Sequence, residues 1–241
     1  MKNPLLTVLG MFCFISIING QLLPSANSAA QKNSIIKNGT IFYKLTVESE
    51  DPQAKMLNGS TLEFSFSGTD SKMVGLVMGG LVNANLIVDG SANNGLALLS
   101  LMGQKKAIRM NADEIKKAQS ATANMNGVKI TPISGTQKIA GHTCKKVMVT
   151  DPNNPEVQTV VFVCESIKPE AGGIVDNMIS SFKGFPLGME VKSNGSKMLL
   201  MASEVSTKIP KKSDFKQDIP TDYQETTMEQ LKDEFGAVIK D

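Results

Sequence analysis

Tryptophan is absent from this 241-residue chain, histidine occurs once and tyrosine twice. These shortages exclude several functions. A surface for single-stranded nucleic acid combines stacking aromatics with a basic groove. Aromatics make up 5% of the residues here and the formal net charge is +2, so nucleic acid is not an expected partner. His142 is the sole imidazole, which leaves a zinc site of the usual His and Cys type short of ligands. No Gly-x-Ser-x-Gly elbow supplies an activated serine. The glycine fingerprints that cradle phosphates are also missing. The adjacent carboxylates Asp113-Glu114 and Asp233-Glu234 fall on expected helices, where neighbouring positions point in different directions. No catalytic residue, metal or cofactor is therefore assigned, and the chain reads as non-enzymatic.

Long apolar runs are confined to the start. Lys2 precedes an apolar stretch from Leu5 to Ile18, shorter than the roughly 20 residues that span a bilayer. Residues 1–20 thus read as a secretory signal peptide. Cleavage after Gly20 leaves Gln21 first, and Ala30 offers an alternative end. The expected location is periplasmic or extracellular, with no membrane span in the mature chain. Residues 21–36 read as a flexible leader, 37–226 as a single sheet domain and 227–241 as a C-terminal amphipathic helix.

What the rest of the chain holds is mainly alternation. Ile41, Tyr43, Leu45 and Val47 interleave with Lys44, Thr46 and Glu48, the period of a half-buried strand. Leu62, Phe64 and Phe66 repeat the pattern. Residues 73–102, rich in Gly, Ala, Leu and Met and broken at Asp89-Gly90 and Asn94-Gly95, predict two or three strands. Further strands are expected at 105–110, 128–132, 136–139, 144–150, 157–165, 187–193 and 197–208. Asn194-Gly195 marks a hairpin turn between the last two. Helices are expected at 111–122, capped by Asn111 with Glu114, at 172–183 through Ile174, Val175, Met178, Ile179 and Phe182, and from Thr227 onward.

Cysteine is scarce but placed with order. Loss of the leader removes Cys13 and leaves Cys144 and Cys164, equidistant from Asn154 in the turn Asp151-Pro152-Asn153-Asn154-Pro155-Glu156. If the flanking runs form a hairpin about that turn, the two thiols face each other. Directly opposed residues have Cα atoms about 4.5–5.5 Å apart, within reach of a disulfide. A disulfide is the expectation for an exported chain; two buried free thiols are the alternative. Asn38, Asn58 and Asn194 each begin an Asn-Gly-Ser/Thr run, readable as a glycan acceptor or as a tight turn. The abundant methionines either line an adaptable apolar cavity or fill a core.

Four runs in order carry a resemblance: Lys105-Lys106-Ala107-Ile108; Ile139-Ala140-Gly141-His142-Thr143-Cys144-Lys145-Lys146; Gly184-Phe185-Pro186-Leu187-Gly188-Met189-Glu190; and Phe215 with Ile219-Pro220-Thr221-Asp222-Tyr223. Over residues 39–227 the chain resembles a secreted bacterial family, domain of unknown function 4412, common in Bacteroidetes. That family usually has an aromatic where His142 stands, and Cys164 is not part of its pattern. The family is similar to the lipoprotein carriers LolA and LolB. The resemblance implies an α+β fold: a curved antiparallel half-barrel covered by about three helices. It also implies that a lipid, an acyl chain or a lipoprotein binds in the concave face. The residues expected to line that face are Phe64, Phe66, Met148, Phe162, Met178, Phe182, Met189 and Met201. The alternative function is an envelope protein-interaction or assembly module.

Overall fold

A computed structural model of the protein describes residues 35–115, 129–152, 154–170, 182–193 and 195–236. The apolar leader with both cleavage positions, residues 21–34, Asn194 and the expected helix at 172–183 with Met178 lie outside these residues, apart from Phe182 and Lys183 at that helix's end. Of the helix expected at 111–122, only the turn at residues 112–115 is described, and Asn111 and Glu114 cap it reciprocally as anticipated.

Alternation dominates the described chain, and it folds into one sheet of twelve strands. Six form a first meander: β1 (Gly39–Glu48), β2 (Thr61–Ser67), β3 (Asp70–Val77), β4 (Val82–Asp89), β5 (Asn94–Leu101) and β6 (Gln104–Met110). Five form a second: β7 (Lys129–Ile139), β8 (His142–Thr150), β9 (Gln158–Cys164), β10 (Phe185–Ser193) and β11 (Ser196–Ser206). The meanders join through antiparallel pairing of β1 with β11. A two-residue strand, β12 (Gln224–Glu225), adds in parallel to β6 at one edge, and β7 forms the other. Short hairpins need both central residues at positive φ. Met102-Gly103 and Ala140-Gly141 supply this, with φ of 50° and 87° and of 46° and 83°. The most specific run of the sequence is thus the β7–β8 turn.

One strand expectation changes. Residues 128–132 and 136–139 belong to a single strand, β7, whose register shifts between Ile133 and Thr136. Pro132 is tolerated there because β7 is an edge. Residues 73–102 hold three strands, within the two or three expected.

The expected α+β half-barrel covered by about three helices is corrected. The described residues form a large curved, mixed sheet with only short helices. The described helices are short: α1 (Pro52–Lys55), α2 (Met228–Gly236) and the turn at 112–115. The reason is visible on the face of β4–β6 opposite Tyr43. Leu96, Leu98 and Ala107 are buried there under Ile219 and Tyr223, in a segment that is not helical. Pro210 and Pro220 bracket that segment. Thr226 N–H donates to the Ala107 carbonyl at 2.8 Å and ties the segment down.

The side on which the sheet bends inward follows from contacts that skip strands. Phe64 on β2 and Phe185 on β10 stack with centroids 5.3 Å apart. Their strands are separated by β1 and β11, roughly 14 Å in a flat sheet at about 4.8 Å per step. Tyr43 on β1 donates its hydroxyl to the Pro186 carbonyl at 2.8 Å, again passing over β11. The concave face therefore carries Ile41, Tyr43, Leu45 and Val47, all buried, while Lys44, Thr46 and Glu48 are exposed on the convex face.

Phe66 is fully buried and stacks on both Phe64 and Phe185. Replacing it by alanine is expected to lower the unfolding free energy by about 3–5 kcal/mol. Phe42→Ala, on the convex face of the same region, should cost much less. Urea denaturation of both variants checks this, and equal losses would mean that the concave core is not the seat of stability.

Candidate functional site

The strand registers lay out the concave face row by row. One row runs Val147, Val161, Met189, Leu200, Leu45 across β8 to β1. A second runs Ala202, Tyr43, Leu62, Gly75, Ala84, Leu99, Lys106 across β11 to β6. A third runs Ile41, Phe64, Met73, Leu86, Ala97, Ile108 across β1 to β6. No charged side chain stands in these rows before Lys106.

This face is not uniformly buried. Phe64, Phe66 and Leu62 are sealed in the main core, together with Cys144, Cys164 and Phe185. Beside them, Met73, Ala84, Leu86, Ala97, Leu99, Met189, Met198 and Leu200 remain half-buried. They form an apolar band that no described helix covers completely. Leu231 of α2 and Ile115 pack at its β6 end, and Leu57, just after α1, packs beside Leu45 and Val77.

The residues expected to line a cavity have different surroundings. Phe64 and Phe66 are packed core. Met189 faces the apolar band, in contact with the Leu45 and Val149 clusters, and Phe182 packs against the Val149 cluster. Phe162 belongs to the same buried core as Phe64 and Phe66, and Met201 packs against that core, while Met148 pairs with Val160. Met201 fills the space above Gly188, with its Sδ 2.5 Å from where a Cβ would stand. The Lys146 ammonium lies 5.7 Å from the Phe162 ring centroid. Met178 lies outside the described residues.

Lys106 escaped the sequence reading. Its signal was a charge in phase with the apolar Ile108 and Met110. It is nearly buried, and its ammonium meets Glu234 Oε2 of α2 at 2.8 Å and Gln224 Oε1 at 2.9 Å. This pair and the Leu231 contact together fasten α2 to the margin of the apolar face. Nearby, Arg109, Glu114, Glu225, Thr226, Thr227 and Gln230 line a polar cleft of about 270 Å³. Arg109 is paired with Glu225 at 3.2 Å. Thr227 and Gln230 are engaged in capping α2.

Cys144 and Cys164 come together as the mirror register requires: Lys145 pairs with Val163 and Val147 with Val161. In this structure both are buried free thiols. The Cys144 thiol donates to the His142 carbonyl at 3.7 Å; the interaction between the two neighbouring sulfurs raises the Cys144 pKa and lowers that of Cys164, and burial opposes the second effect. Ser166 Oγ, 3.2 Å from Cys164 Sγ, and the charge of His142 also favour a Cys164 thiolate. Burial, followed by the two thiols, holds the Tyr43 phenol protonated well above its ordinary range. Among the described residues, no three of His, Cys, Asp and Glu gather as a metal cluster. No described helix is long and apolar enough to cross a membrane.

Neither a protein-family model nor a curated protein sequence matches the chain. The resemblance to domain of unknown function 4412 thus gains no support from that side. Among solved structures the chain is similar to PNGF-II, with 14% identity, 82% of this chain and 32% of that chain covered, and a TM-score of 0.46. It is also similar to MucB, with 12% identity, coverage of 80% and 61% and a TM-score of 0.36. A third likeness is the Mycobacterium tuberculosis lipoprotein LppX, with 11% identity, coverage of 72% and 89% and a TM-score of 0.37. This chain spans about a third of PNGF-II. With every TM-score below 0.5, no residue role is carried over from them.

The Lys106–Glu234 contact makes a specific prediction. Glu234→Gln removes the counter-charge of a nearly buried ammonium, and should cost roughly 1–2 kcal/mol. It should also speed amide exchange across α2. Lys106→Met keeps the apolar packing and should stay within about 1 kcal/mol of the parent. Chemical denaturation with hydrogen exchange checks both, and unchanged exchange in Glu234→Gln would contradict the fastening role.

Proposed function

We propose that this chain binds an apolar ligand of the acyl-chain type on the concave face of its sheet, and that it does so as an exported, non-enzymatic protein. The observation that supports this is the uncharged band of half-buried side chains from Met189 and Leu200 through Leu45 to Met73, Leu86 and Leu99. Leaving such a surface in water is unfavourable by about 25 cal/mol per Å². A ligand that covers it gains that free energy, and Met side chains on flexible stems adapt to its shape. Gly75 and Ala84 sit side by side in the middle row and keep the face shallow between Leu62 and Leu99.

The alternative, a protein-interaction module using a sheet edge, has β7 as its obvious surface. That strand is mostly exposed. It carries Pro132 and a register shift between Ile133 and Thr136, with Lys129 and Lys138 along its length. Proline, irregular register and lysine are the features that stop an edge from accepting another strand. The concave face is therefore the better candidate.

Binding should strengthen with chain length. Each buried methylene contributes about 0.8 kcal/mol, or roughly fourfold in affinity. Calorimetry with fatty acids and fatty alcohols of eight to about sixteen carbons should show this rise until the band is filled. Leu99→Asp should weaken binding at least about tenfold by placing a charge in the band, whereas Thr46→Asp on the convex face should not. Absence of binding, or affinity independent of chain length, would sink the reading.

A further inference from the structure

The cysteine pair has no part in ligand binding as proposed, yet it is the most closely specified polar feature of the core. Cys144 and Cys164 lie on adjacent antiparallel strands at mirror positions, one step beyond the Lys145–Val163 pair. Both are fully buried. Neither belongs to an outer strand: β8 is flanked by β7, where Gln137 pairs with Cys144, and β9 by β10, where Phe185 pairs with Cys164. The segment following Cys164 is strapped down by the N-terminal part of the domain. Ile36 N–H donates to the Ser166 carbonyl at 2.8 Å, and Lys168 N–H donates to the Ile36 carbonyl at 2.9 Å. Ile167 is fully buried beneath that strap.

We propose that Cys144 and Cys164 form a disulfide that staples β8 to β9, made by thiol–disulfide exchange with a small-molecule or dithiol-protein disulfide while the chain folds. Cys164 is the attacking sulfur. The neighbouring Cys144 sulfur and the Ser166 hydroxyl, 3.2 Å from Cys164 Sγ, favour its thiolate. The Cys164 thiolate attacks one sulfur of the oxidant, forming a mixed disulfide and expelling the first thiolate. The Cys144 thiol then loses its proton, and its sulfur attacks Cys164 Sγ and expels the second thiolate. One S–S bond breaks in the oxidant and one forms in the protein. Two electrons pass to the oxidant, and the two protons end on its thiols. Exchange needs access to the sulfur. In the finished fold both sulfurs are sealed, so the bond is made before the Ile36–Ile167 strap closes.

The test uses the full chain with Cys13→Ser, so that only this pair can react. The reduced protein is unfolded and refolded in a mixture of reduced and oxidised glutathione, then its thiols are counted in denaturant without reductant and its mass is measured. The expected product is a monomer with no free thiol, a mass lower by two hydrogens and no retained glutathione. It should melt about 6–12 °C above its own reduced form, from the loop closed by the bond and the usual size of a melting shift. That increment should be absent from the Cys144→Ala/Cys164→Ala protein, which reports whether the fold survives without either sulfur. Refolding first and adding oxidised glutathione afterwards should oxidise the pair at least tenfold more slowly. Two titratable thiols after oxidative refolding, or a chain-to-chain disulfide as the main product, would overturn the proposal. Equal oxidation rates before and after folding would overturn the sealed order of events.

Discussion

β1 and β11 pair antiparallel over nearly their whole lengths, and the rest of the molecule depends on that contact. Each meander alone is a sheet with one apolar face and nothing opposite it. Joining the first strand to the eleventh aligns those two faces in one continuous curve. Tyr43 and Phe64 can then reach past β11 to Pro186 and Phe185. The partners are far apart in sequence, so loop-closure entropy opposes this step before any packing offsets it. The bulge between Phe42 and Tyr43 lies within the pairing. Bulges increase local twist, and here one sits beside the most tightly curled corner of the sheet.

The two faces then diverge in chemistry. On the concave side, a phenylalanine core fills one end and an uncharged, half-buried band remains beside it. On the convex side, Lys44, Thr46 and Glu48 meet solvent, while the apolar positions of β4–β6 are covered by the proline-bracketed segment before β12. Lys106, the cation at the end of the second concave row, is neutralised by Glu234 rather than left to face the band. The half-buried concave band is left without complete cover by the described elements.

Much of this was legible in the chain. Period-two alternation located the strands, because a sheet with one wet face imposes it. The Cys144/Cys164 symmetry about Asn154 gave the β8–β9 register directly. The covering elements were less legible. Leu96, Leu98 and Ala107 look like ordinary strand residues, and nothing local announces that Ile219 and Tyr223 lie over them. The cavity lining was unreadable for a different reason. Met189 and Met201 are an even number of residues apart and both lie in strands, yet Met189 pairs with Leu200 and Met201 with Gly188, because the turn between β10 and β11 resets the phase. Lys106 was the missed signal: a lysine two residues before Ile108 and four before Met110 occupies a core position, and such a charge requires a partner.

The central claim is that ligand meets the concave band and nothing else. Photo-crosslinking with a diazirine-bearing acyl chain, followed by peptide mapping, tests this most directly. The account predicts label on Met73, Leu86, Leu99, Met198 and Leu200. Label concentrated on the convex positions Lys44, Thr46, Glu63 and Lys72, or spread over both faces alike, would contradict it.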